Sequence, residues 1–192
     1  MSKLPPPPHD LSPPLPLFPL STVLFPGALL PLQLFELRYL QMIGECERQG
    51  TDFGIVTLTQ GREVHRPGEP TEQFELLGTR VRIERIDRPQ PGLVMVWCRG
   101  LEKFRIQDTQ QRSDGLWLGH VQALPPEPAV QVPDDLQHLS THMHEALSQL
   151  SQQPSVVPPW NEAWRLQDCS WLSNRWGELL PLPLQMKYRL FA

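Results

Sequence analysis

Histidines, cysteines and a block of arginines are the residues of this 192-residue chain with the means to do chemistry. His138 and His142 stand four apart, with His144 and Glu145 following. On a helix, positions i and i+4 share a face, and two neutral imidazoles at that spacing can hold a zinc ion. No H-E-x-x-H arrangement is present, and the spacing fixes no third ligand. The expectation is a solvated histidine-bearing face with no metal and no cofactor. Cys46, Cys98 and Cys169 are isolated and odd in number, without a C-x-x-C pair for a zinc ribbon or a redox couple. Cys98 lies in an apolar run and Cys46 on an apolar helical stripe, where thiols pack rather than react. No G-x-S-x-G elbow occurs, and no glycine is followed by lysine, so the G-x-x-x-x-G-K-[ST] phosphate loop is missing. No catalytic residue is expected.

The charges offer a different kind of chemistry. Between positions 80 and 105 stand Arg80, Arg82, Arg85, Arg88, Arg99, Lys103 and Arg105, against Glu84, Asp87 and Glu102. That local charge of +4 contrasts with −4 for the whole chain. Strand alternation puts Arg80 and Arg82 on one face, and Lys103 and Arg105 on one face of another strand. Such a surface suits a polyanion such as RNA, or an acidic peptide; the plainer reading is the solvated outside of a barrel. In "FELRY", Glu36 and Arg38 are placed to ion-pair where a helix begins, with Tyr39 beside them; the same three residues are candidates to face a ligand. Trp160, Trp164, Trp171 and Trp176 crowd one region and are expected to pack helices against the barrel. Trp160 and Trp164, in "PPWNEAW", are the two that a proline-fixed loop could present as apolar anchors.

These residues need elements to hold them. The opening "LPLFPLSTVLFPGALLPLQLFELRY" is too rich in proline for a helix, so it reads as short strands, Leu15–Leu20 and Leu29–Phe35, around a Pro26-Gly27 turn. A helix from Glu36 to about Gln49 follows, ended by Gly50. "FGIVTL" (53–58), "LLGTRVRIERID" (76–87), "LVMVWCRG" (93–100), "KFRIQD" and "LWLGHVQAL" (116–124) read as further strands, which suggests a closed or nearly closed antiparallel barrel. "PPEPAVQVP" (125–133) is a linker. Beyond it, Asp134 or Asp135 caps a helix to about Gln152 with the stripe Leu136, Leu139, Met143, Ala146 and Leu150. Asp168 caps a second helix, with Leu172, Trp176 and Leu179 as its stripe, and Pro183 stands near the start of a third. Residues 1–13 read as a disordered proline-rich tail, 14–124 as barrel with one inserted helix, and 125–192 as a helical subdomain.

With these blocks in order, the chain resembles the Lon protease N-terminal domain family. The proline-rich opening carries the likeness, followed by "FGIVTL" with "GREV", "LLGTRVRIERI", "VWCRGLEKFRI" and "DCSWLSNRWGELLPLPLQMK". The likeness runs from Leu15 to Leu190. It implies an α+β fold, a PUA-like antiparallel β-barrel with a C-terminal helical subdomain. It also implies a substrate-recognition module without the ATPase and protease parts of a full Lon enzyme. The expected partners are unfolded or degron-bearing polypeptide, or a protein partner such as a protease system. RNA binding by the 80–105 face is the alternative, and PUA-like barrels that bind RNA keep it open. No apolar run reaches the ~18 residues a membrane helix needs. Three lone thiols without a signal peptide point to the reducing cytoplasm.

Overall fold

The computed structural model describes residues 9–63, 71–152 and 163–192. Six strands come first: β1 (His9–Leu20), β2 (Leu29–Leu34), β3 (Phe53–Gln60), β4 (Gln73–Gln90), β5 (Leu93–Gln111) and β6 (Trp117–Ala123). One helix, α1 (Leu37–Gln49), lies between β2 and β3. Three more follow the strands: α2 (Gln137–Ser151), α3 (Cys169–Leu179) and α4 (Leu184–Phe191). The fold is α+β. β1 begins at His9, so residues 9–13, expected to be tail, have strand backbone there.

The sheet order is β2-β5-β4-β3-β1-β6, and β5 also pairs β6, so the ladders close through β5. The sheet is mixed rather than wholly antiparallel. β1 and β3 run parallel, from Leu17 opposite Gly54 to Leu20 opposite Thr57. The excursion through β2 and α1 is long enough to bring the chain back in the same direction, which a tight hairpin cannot do. β5 is one strand of 19 residues where the sequence suggested two. Its first half pairs β2 and its second half β6. Register shifts in its ladder with β4, between Thr79 and Val81 and between Ile83 and Arg85, bend the pair.

The main core lies between the sheet and α1. Tyr39, Met42, Ile43 and Cys46, at helical spacing, pack against Phe18, Leu34, Phe53, Val81 and Val96. The Phe18 and Tyr39 rings lie 3.9 Å apart. A second cluster, including Leu17, Val56, Phe104 and Val121, fills the other part of the sheet. Helices α2 and α3 have their own core of Val132, Met143, Leu147, Trp171 and Leu172. Of the expected α2 stripe, Met143 is buried and Leu139 and Leu150 pack against this core; Leu147 joins it, while Leu136 is exposed and lies in a 3-10 turn before the helix. Neither Asp134 nor Asp135 caps α2 by its side chain. Leu179, expected on the α3 stripe, is exposed. α4 returns to the sheet, where Phe191 meets Phe25 edge-on at 5.8 Å among Val23 and Leu77.

Candidate functional site

The residues of "FELRY" converge as a buried ion-pair network. Arg38 is 6% exposed although it stands in the first turn of α1. Its Nη2 donates to Glu72 Oε1 at 2.8 Å and lies 3.3 Å from Glu36 Oε2, while its Nη1 donates to Gly115 O at 3.0 Å. The guanidinium also sits 4.6 Å from the Tyr39 ring centroid. Glu72 accepts a second bond at its other oxygen, from Trp117 Nε1 at 3.1 Å. Burial alone would raise the Glu72 carboxyl. The bonds from Arg38 and Trp117 and the charge of Arg38 outweigh it, and hold the group below the usual carboxylate range. Burial pushes the Tyr39 hydroxyl up against the opposing pull of Arg38. The network ties α1 to the segment before β4 and to β6. Glu72 and Trp117, absent from the sequence reading, complete it.

The basic block is largely neutralised within the fold. Arg80 donates to Glu102 through Nε at 2.6 Å and Nη2 at 2.9 Å, and pairs with Asp52 as well. The bonds it donates to Glu102 are the main reason its guanidinium titrates above the ordinary range. Arg99 forks onto Glu84 at 2.7 and 3.1 Å, Arg85 pairs with Asp87, and Arg88 with Glu47. Lys103 donates to Glu127 Oε1 and to Phe191 O, both at 2.6 Å. The more open charges are Arg82, with Asp52 3.7 Å away, and Arg105, which has no ion pair among the described residues. Alternation put Arg80 and Arg82 on one face as expected. It gave no sign of Asp52, Glu47 or Glu127, which topology brings up from other segments.

The Pro26-Gly27 turn is the second place where arginines converge. Gly27 has φ of 83°, a conformation glycine adopts without a Cβ penalty. Its carbonyl accepts from Arg99 Nη1 at 2.9 Å, and the Pro26 carbonyl from Arg175 Nη2 at 2.6 Å. Arg175, from α3, is 1% exposed and also binds Glu178 at 2.6 Å. Only a contact spanning 149 residues reveals its role. Beside this clamp a cleft of about 330 Å³ opens between sheet and helices. Its walls include Gly100, Leu101 and Lys103 of β5, the Pro125–Pro126 connector, and Arg165, Trp171 and Asn174.

Trp164 is half-buried and packs with Trp171 and Trp176 in the core of α2 and α3, its ring 5.4 Å from His144. Trp164, Trp171 and Trp176 thus pack within the core of α2 and α3, and Trp171 also lines the cleft toward β5. Trp160 lies outside the described residues. The His138 and His142 rings are 6.1 Å apart on the exposed side of α2. No group of three or more His, Cys, Asp or Glu that could hold a metal ion occurs among the described residues. Cys46 and Cys98 are buried, and burial raises both thiols. No helix among the described residues is long and apolar enough to cross a membrane.

A mixed sheet whose ladders close on one long strand, capped by α1 and extended by helices that leave a cleft, defines an α+β domain of the Lon N-terminal type. The chain belongs to the family of the ATP-dependent protease La (LON) substrate-binding domain, whose model matches residues 14–192. Its structure is similar to the crystal structure of a Lon N-terminal domain protein from Xanthomonas campestris. The TM-score is 0.69 and the identity 31%, over 93% of this chain and 89% of that one. The N-terminal domain of the Mycobacterium avium complex Lon protease shares the fold at 18% identity. There the TM-score is 0.57, over 94% of this chain and 90% of the other. A comparison with curated proteins gives no match.

Proposed function

We propose that this chain is a non-catalytic binding module that captures unfolded or degron-bearing polypeptide for a protein partner such as a protease system. The observation that carries this reading is membership, over residues 14–192, in a family of substrate-binding domains. The sheet–helix cleft supports it, because a shallow groove with apolar and polar walls accepts extended chain. In this reading residues 14–124 and 125–192 act as two parts joined at the Pro26-Gly27 clamp, and the protein works in the cytoplasm. The ion pairs that occupy Arg80, Arg85, Arg88, Arg99 and Lys103 favour it over RNA binding.

Single sites of this kind bury little area, so affinities on the order of micromolar or weaker are expected. The test is a titration of a fluorescent, permanently unfolded polypeptide and of its folded counterpart, at low and high salt. Binding of the unfolded form, preferred over the folded one and mildly sensitive to salt, is the expected result. Equal affinity for both forms, or none for either up to millimolar concentration, removes the reading.

A further inference from the structure

β2 lies outside the closed circuit of ladders. It pairs β5 on one side, and no strand flanks it on the other among the described residues. Gly100 donates to Ala28 O at 2.8 Å, and the register runs on through Leu29 opposite Arg99. Antiparallel pairing then turns the backbone groups of Leu30, Leu32 and Leu34 toward β5, and those of Leu29, Pro31 and Gln33 outward. None of these outward groups has a backbone partner among the described residues. Pro31 thus sits where its missing N–H costs the β5 ladder nothing. The edge still offers the amides of Leu29 and Gln33, and three carbonyls.

A pocket of about 270 Å³ runs along this strand. Phe18, Leu20 and Tyr39 supply apolar walls; the charged residues lining it are Glu36, which pairs with Arg38, and Glu63, one oxygen of which accepts from the neutral backbone N–H of Ser21 at 2.6 Å. Phe35, just beyond the end of β2, is 53% exposed, and Leu37, the first residue of α1, is 69% exposed. Unpaired ladder groups call for another extended backbone, apolar walls for apolar side chains, and the Glu63 carboxylate for a cation.

We propose that the outer edge of β2 receives an extended polypeptide segment bearing apolar side chains and Lys or Arg, added as a further strand. This rests on the polypeptide-binding reading above and names the place and manner of capture. A second copy of the chain is a poorer occupant. A two-fold pairing of β2 with β2 sets Pro31 against Pro31 and brings like-charged carboxylates together.

The probe is a fluorescein-labelled ten-residue peptide alternating Val and Lys, titrated into the full chain by fluorescence anisotropy. Two further peptides carry N-methyl groups on alternate residues, one on each set. Methylation of the set facing β2 is expected to weaken binding at least tenfold, and the other set to leave it unchanged. Glu in place of Lys is expected to weaken binding at least fivefold at low salt, with the difference closing at high salt. Bound peptide is expected to slow amide hydrogen exchange at Leu29 and Gln33 at least tenfold, and Gln33→Pro to abolish binding. Should Gln33→Pro fail to fold, the methylated peptides and the exchange measurement decide. Equal effects of both methylation sets with unchanged exchange at the two amides overturn the inference. So does a β2–β2 dimer, seen by sedimentation, that excludes the peptide. Unfolded polypeptide that binds without protecting Leu29 or Gln33 overturns the inference and leaves the polypeptide-binding reading standing. If no unfolded chain binds at all, both fall.

Discussion

Glu72→Ala is the substitution most expected to destabilise the fold, because Glu72 is the acceptor that allows Arg38 to be buried. The carboxylate accepts from Arg38 at 2.8 Å and from Trp117 at 3.1 Å, and is 5% exposed. Removing one partner of a buried pair costs about 3–5 kcal/mol, since the remaining charge is left uncompensated. Here Arg38 keeps Glu36 at 3.3 Å and Gly115 O at 3.0 Å, which places the loss at the low end, about 3 kcal/mol. For a domain of this size that lowers Tm by roughly 6–12 °C. The sign with pH follows from the depressed carboxyl. Its contribution is fully present above the unfolded carboxylate value, near 4.3, and is lost as pH falls through the lower folded value. Urea denaturation of wild type and variant at pH 7 and at several values below 4 measures both effects. The gap between the two proteins should narrow as pH falls. A loss under about 1 kcal/mol at pH 7, or a gap that does not change with pH, refutes the reasoning.

Three other outcomes are expected. Gly177→Ala places a Cβ 2.5 Å from Phe25 Cζ, and Phe25 is itself buried against Phe191. Overpacking, partly offset by better helix propensity, should lower stability by about 1–2 kcal/mol in a denaturant titration. Asp168→Ala removes the side chain that accepts from Ser170 N at 3.0 Å and Trp171 N at 3.4 Å, at a cost of about 1 kcal/mol. Any RNA affinity should be weak at physiological salt and fall steeply as salt rises. Submicromolar binding, lost on Arg82→Glu with Arg105→Glu, would instead favour the RNA reading.

Several local decisions were legible in the sequence, although the expected Asp134 or Asp135 cap of α2 did not form. Pro26-Gly27 turns the chain with φ of 83° at Gly27, and Gly50 ends α1 at φ of 64°. Asp168 caps α3, and Pro183 stands at the start of α4. Each of these rests on one residue's dihedral range or on a bond spanning two or three positions, so neighbours in the chain suffice to predict it. The period-2 and helical patterns placed most strands and helices on the same footing, though not the strand backbone of residues 9–13 or the continuity of β5.

The tertiary structure decided what depended on partners far along the chain. That β1 and β3 run parallel follows from the path of the connection, not from the pattern of either strand. The Arg80–Arg105 block read as a basic surface because its own segment holds few acids. Asp52, Glu47 and Glu127 neutralise much of it only once the sheet and the connector are in place. Glu72 becomes the partner of Arg38 across 34 positions and of Trp117 across 45, and Arg175 reaches Pro26 across 149. A side chain's charge and size are written in the sequence. Whether it ends up solvated, paired or buried depends on which distant group the fold brings within about 3 Å of it.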